Sequence, residues 1–134
     1  MAEWEHDSAL VRAFIAPERR NRYLSLLSSA RGRDKLRRAL ADCHDLDMRF
    51  AHELPSGVHT PAAIAELLRT KGAPAECVLL SESDALDGRR LPLEETLAAV
   101  IGRGMGTFVS CLPGRLGFYE GEGPGVRYLL ERAI

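Results

Sequence analysis

The chain lacks most of the features that assign a protein to a compartment or a chemistry at sight. No apolar run approaches the roughly 20 residues that a membrane-spanning helix needs. The opening Met-Ala-Glu-Trp-Glu-His-Asp is acidic and has none of the apolar stretch of a secretory signal, so the expected location is the cytoplasm, with no membrane partner. Cysteine is scarce. Cys43, Cys77 and Cys111 are odd in number, form no C-x-x-C pair and each sit among apolar neighbours. They read as reduced, buried thiols behaving as small hydrophobes, not as a disulfide framework or a zinc site. Cys111 as a nucleophile would need a histidine brought in from afar. His44, Asp47, His52, Glu53 and His59 are dense, but they show neither H-x-x-x-H nor H-E-x-x-H spacing, and no metal or cofactor is expected.

Charge is what the sequence does have, and it is split. Residues 12–38 hold nine basic side chains (Arg12, Arg19, Arg20, Arg22, Arg31, Arg33, Lys35, Arg37 and Arg38) against Glu18 and Asp34 alone, a net of +7. The rest of the chain has nine basic and seventeen acidic residues, a net of −8, which gives the overall −1. Helical i, i+4 spacing pairs Glu18 with Arg22 and Asp34 with Arg38, each pair contributing about 0.2–0.5 kcal/mol. Arg19, Arg20, Arg31, Arg33, Lys35 and Arg37 are left without local partners. Arg19 and Arg20 fall in the first turn after Pro17, where the helix dipole disfavours a cation by roughly 0.3–1 kcal/mol. These six form the candidate anion-binding face. Arginine outnumbers lysine eight to one here, and the planar guanidinium binds phosphate and carboxylate in a bidentate manner. The alternative is that they dock internally on acidic residues such as Glu82, Asp84 and Asp87. Against nucleic acid stand a sequence pI near 6.4 and the absence of aromatic residues among the arginines other than Tyr23.

At 134 residues the chain is expected to form one domain over 1–134, burying roughly 68% of its unfolded surface. Residues 1–45 read as helical and basic: a helix capped at Asp7, a second after Pro17 with Tyr23, Leu26, Leu27 and Ala30 as its stripe, a break at Arg31-Gly32-Arg33, and a third through Leu36, Ala39, Leu40 and Cys43. In 46–54, Met48, Phe50, His52 and Leu54 alternate with Asp47, Arg49, Ala51 and Glu53, which predicts a strand with the Met48 face inward; a continued helix is the competing reading. Thr60-Pro61 opens a helix that Gly72 stops. Cys77–Leu80 is a strand buried on both faces, 81–92 a polar loop, and Leu93–Ile101 a helix. Residues 107–131 form a meander, with a type II turn at Pro113-Gly114 and a second turn over Gly121–Gly125. The expected fold class is α+β: N-terminal helices packed on a four- to five-stranded mixed sheet that ends in an antiparallel meander.

Two further stretches carry candidate chemistry. If strands 77–81 and 107–111 run parallel through the helix between them, their following loops share one edge, and Asp84, Asp87 and Arg115 converge there as a pocket for acid–base work or a small anion. Gly102-Arg103-Gly104-Met105-Gly106 has glycine spacing that invites a phosphate cradle. It follows a helix and precedes a strand, the reverse of a dinucleotide loop, so it reads as a helix stop and turn. Taken together, the sequence points to a small cytoplasmic, non-enzymatic binding or accessory module that uses its basic helices on nucleic acid or an acidic protein. The alternative is a small-ligand binder or enzyme at Asp84, Asp87 and Arg115. A homodimer through an exposed edge strand, Val126–Glu131, is the third possibility.

Overall fold

In a computed structural model, the described residues are 3–122 and 126–132. Helices α1 (Glu3–Phe14), α2 (Arg20–Leu27) and α3 (Ala30–Arg37) come first, with 3-10 turns at Pro17–Arg19 and Leu40–Asp42. Then follow β1 (Ala51–His52), α4 (Pro61–Thr70), β2 (Glu76–Ser81), β3 (Arg90–Pro92), α5 (Leu93–Val100), β4 (Thr107–Leu112), β5 (Leu116–Glu120) and β6 (Arg127–Glu131). Among the described residues these strands form one six-stranded sheet in the order β1-β6-β5-β4-β2-β3, and every neighbouring pair is antiparallel.

The fold is thus α+β, but the sheet is neither mixed nor four- to five-stranded. The reason is one missed reversal. The segment expected to be a plain loop contains β3, which turns back on β2 and pairs Cys77 with Leu91. Helix α5 then starts at the opening end of β2 and carries the chain to its far end, where Thr107 pairs with Ser81 and β4 runs back antiparallel. One extra strand inverts the direction of everything after it.

Both faces of the sheet are covered, and strand alternation assigns each residue to a face. Leu80, Phe108, Tyr119 and Leu130 pack with Leu10, Val11, Phe14, Tyr23, Leu27, Leu36 and Leu40 of the N-terminal helical layer. Their neighbours Leu79, Val109, Phe118 and Leu129 pack with Ile64, Leu68, Leu93 and Leu97 of α4 and α5 on the opposite face. This explains why Cys77–Leu80 is continuously apolar: neither face is wet.

Locally signalled elements form as expected. The Ala63 amide donates to the Thr60 hydroxyl at 3.1 Å, Pro61 takes the first helical position, and Gly72 follows the helix with φ +105°. The meander turn has Gly114 at φ +70°, and the Arg115 amide donates to the Leu112 carbonyl at 3.0 Å. The second turn includes residues 123–125, which lie outside the described residues.

Other expectations are corrected. Arg31-Gly32-Arg33 lies inside α3; the break falls at Ser28-Ser29, and the Ser29 hydroxyl caps α3 by accepting the Gly32 amide at 3.0 Å. Gly32 is needed for contact, not for a break: a Cβ there would lie 2.3 Å from the Leu26 carbonyl oxygen, so α2 and α3 touch backbone to backbone. Asp7 is no cap; it is buried within α1. The strand expected over 46–54 shrinks to Ala51–His52, and the expected alternation holds only in part: Phe50 and Leu54 pack against the core and Arg49 and Glu53 are exposed, but two pairs of positions exchange sides. Met48 is 57% exposed and His52 is exposed, while Asp47 and Ala51 are buried. The cause is electrostatic: Asp47 turns inward to meet Arg20 and Arg49. Strand β6 is internal to the sheet, flanked by β1 and β5, so Val126–Glu131 is not its edge. The edges are β1 and β3, two and three residues long, with Pro92 blunting the second.

Candidate functional site

Helix α3 distributes its charges over two faces. Arg33 and Arg37, four residues apart, flank the buried Leu36 and point toward the end of β2. Arg31, Lys35 and Arg38, at i, i+4 and i+7, lie on the exposed side with Asp34 among them.

The inner face is an ion-pair hub. Arg33 grips Asp87 side-on, with Nε and Nη2 donating to its two oxygens at 2.9 Å each, and its Nη1 donates to Asp7 of α1 at 2.5 Å. Burial alone would lower the Arg33 pKa, but hydrogen bonds to Asp87 and Asp7 outweigh it and hold the guanidinium above its ordinary value. Asp87 also accepts the Ser81 amide at 2.9 Å. Arg37 donates through Nε to the Ser81 carbonyl at 2.6 Å and through Nη2 to Asp84 at 2.6 Å and the Glu82 carbonyl at 3.3 Å. Its Nη1 reaches Asp34 at 3.2 Å. The hub ties α1, α3 and the β2–β3 loop together, which is a fold-holding role.

The six candidate cations therefore separate. Arg33 and Arg37 are engaged in the hub. Arg20 bends away from the N-terminus of α2 to donate to the Ile15 carbonyl at 2.7 Å and to Asp47 at 3.3 Å, which answers its conflict with the helix dipole. Asp47 is held below the ordinary carboxylate range, chiefly by the hydrogen bond from Arg49 and against the opposing effect of burial. Arg19 makes an exposed 3.7 Å contact with Asp45. Among the described residues Arg31 and Lys35 engage no carboxylate, and neither does Arg38; Asp34 pairs with Arg37 instead. The Glu18–Arg22 pair is also absent among the described residues.

The alternative pocket does not assemble. Because β2 and β4 are antiparallel, Asp84 and Asp87 follow the Ser81 end of the sheet, paired with Thr107, whereas Arg115 sits beyond Leu112 at the opposite end. The glycine-rich loop has its terminal amides filled from within: Gly102 donates to Glu120 at 2.9 Å and Gly106 to Glu82 at 3.0 Å. Burial pushes the Cys77 thiol up to about 11 and raises Cys111 as well, so both stay protonated at neutral pH. His44, His52 and His59 are exposed, and among the described residues no group of three His, Cys, Asp or Glu side chains converges as a metal site.

Two open cavities line α3. One, of about 680 Å³, is bounded by Ser29, Arg31, Gly32, Asp34, Lys35 and Arg38. The other, of about 370 Å³, is bounded by Asp34, Arg37, Arg38, Glu82 and Asp84. Asp34 and Arg38 border both, so the two adjoin and together make a trough along α3. Sequence reasoning gave Asp7, Asp47 and Arg38 other roles: a helix cap, a member of a histidine-rich stretch and the partner of Asp34. Asp7 carried a legible signal, since it continues the Leu10 and Phe14 stripe at i, i+3 and i+7, a polar residue on an apolar face. No protein-family model, no curated protein and no solved structure matches the chain.

Proposed function

We propose that the protein is a small, non-enzymatic accessory module of the cytoplasm that docks on an acidic segment of a partner protein through the outer face of α3. One observation carries this reading. Among the described residues Arg31, Lys35 and Arg38 meet no internal carboxylate, and they line one concavity, while the other cations of α3 are engaged in the hub. At about 1.5 Å of rise per residue they sit roughly 6 and 10 Å apart along the helix. Among the described residues the exposed large apolar side chains are Met48, Met105 and Val126, none of them an aromatic ring on which a base could stack.

The test uses a decaglutamate peptide, a 20-nucleotide single-stranded DNA and the triple variant R31E/K35E/R38E. The peptide should bind, weaken with rising salt, and be lost in the variant while the melting midpoint stays within a few degrees. DNA binding tighter than peptide binding, with a steep salt slope, points to nucleic acid as the partner instead. No binding of either overturns the reading.

A further inference from the structure

We propose that the outer edge of the Arg37 guanidinium is a carboxylate subsite at the end of the α3 trough, occupied in the free protein by Asp84 and taken over by a carboxylate of the partner on docking. This inference rests on the α3 reading above and gives it a fourth position and an internal competitor.

The inner edge of Arg37 is fixed. Its Nε is bound by the Ser81 carbonyl at 2.6 Å, with Asp87 at 3.4 Å, and its side chain is only 13% exposed. The plane of the guanidinium is therefore set by the end of β2 and needs no ordering when a ligand arrives. The outer edge is served differently. Its Nη1 and Nη2 donate to two separate carboxylates, Asp34 at 3.2 Å and Asp84 at 2.6 Å, each through a single oxygen, and Nη2 has a longer 3.3 Å bond to the Glu82 carbonyl. A guanidinium edge matches both oxygens of one carboxylate in parallel bonds, and splitting it over two acids leaves that match unused.

The incumbents are exchangeable. Asp34 is 57% exposed and Asp84 98% exposed, and exposed pairs of this kind hold weakly. Displacing Asp84 requires only rotation of its side chain, because the loop is held elsewhere. The Leu86 and Asp87 amides donate to the Ser83 carbonyl, the Gly88 amide donates to the Leu79 carbonyl, and Asp87 is locked to Ser81 and Arg33. The space is present, since the 370 Å³ cavity at Arg37 adjoins the Arg31/Lys35 concavity along Asp34 and Arg38. An extended acidic segment presents alternate side chains about 6.6 Å apart, close to the step between Arg31 and Lys35, and Arg38 at the end of that stripe lines the same cavity as Arg37.

Asp84→Asn removes the incumbent without touching a buried group. Decaglutamate affinity, measured by anisotropy at fixed salt, should tighten about two- to fivefold, the range an exposed ion pair supports. Glu82→Gln is the control for simple charge repulsion. It neutralises a carboxylate lining the same cavity and keeps an acceptor for the Gly106 amide. A gain in D84N and not in E82Q supports the proposal, as does movement of the Arg37 side-chain Nε–H NMR signal on adding the peptide. Equal gains in both variants, or none in either, overturn it. If wild-type binding is lost in R31E/K35E/R38E yet D84N changes nothing, this inference alone fails. If neither wild type nor D84N binds the peptide, the function reading fails and takes the inference with it.

Discussion

Replacing Arg33 by Met tests whether the hub holds the helical layer on the sheet. Met keeps the apolar stem and removes the guanidinium. Three hydrogen bonds are lost, two to Asp87 and one to Asp7, and both carboxylates are largely covered while Arg33 itself is 23% exposed. Removing one partner of a buried pair costs about 3–5 kcal/mol. The figure here belongs below that, because Asp87 keeps the Ser81 amide and its 3.4 Å contact with Arg37, and because part of Arg33 faces water. The expected loss is about 2–3 kcal/mol, and at roughly 3–5 °C per kcal/mol for a domain of this size the melting midpoint falls by about 6–15 °C. The assay is thermal unfolding followed by circular dichroism, run as a double-mutant cycle with Asp7→Asn. The two losses should be non-additive by about 1–2 kcal/mol, since neutralising Asp7 removes part of the penalty that R33M creates. A drop below about 2 °C, or additive losses, refutes the reasoning and makes the hub a surface ornament.

Two further outcomes follow from geometry elsewhere. Asp47→Asn should lower the melting midpoint at pH 7, with the deficit shrinking as the pH falls below about 4. The folded-state pKa is depressed, so the stabilisation from Arg49 and Arg20 is full above the unfolded-state value near 3.9 and is lost as the pH drops through the folded value; a deficit that persists unchanged at pH 2 would contradict this. Gly106→Ala and Gly104→Ala, two residues apart in one loop, should differ sharply in chemical denaturation. A Cβ at Gly106 would lie 2.1 Å from the Leu40 carbonyl carbon and 2.2 Å from the Ala41 nitrogen, costing about 3 kcal/mol or more. At Gly104 it meets nothing within 4 Å and pays only for φ +70°, about 1 kcal/mol.

The sequence by itself determined the elements whose signals are local. Helix α4 is specified by Thr60, Pro61 and Gly72 within a dozen positions, and the β4–β5 turn by Pro113 and Gly114, because caps and turns depend on backbone conformations that neighbouring residues set. The charge split was equally plain, but its meaning was not. Arg33 finds Asp7 and Asp87 at separations of 26 and 54 residues, distances over which spacing carries no information about contact. The burial of 46–54 was misread for the same reason: a period-two pattern carries no information about distant partners, and Asp47 is covered because Arg20, 27 residues away, pairs with it. Only the tertiary structure could show that β3 reverses the chain, that Arg115 and Asp84 therefore lie at opposite ends of the sheet, and that of the α3 cations Arg31, Lys35 and Arg38 remain free. Each of these is a statement about partners brought together by the packed helices and sheet, and a carboxylate neutralises whichever guanidinium the fold places beside it.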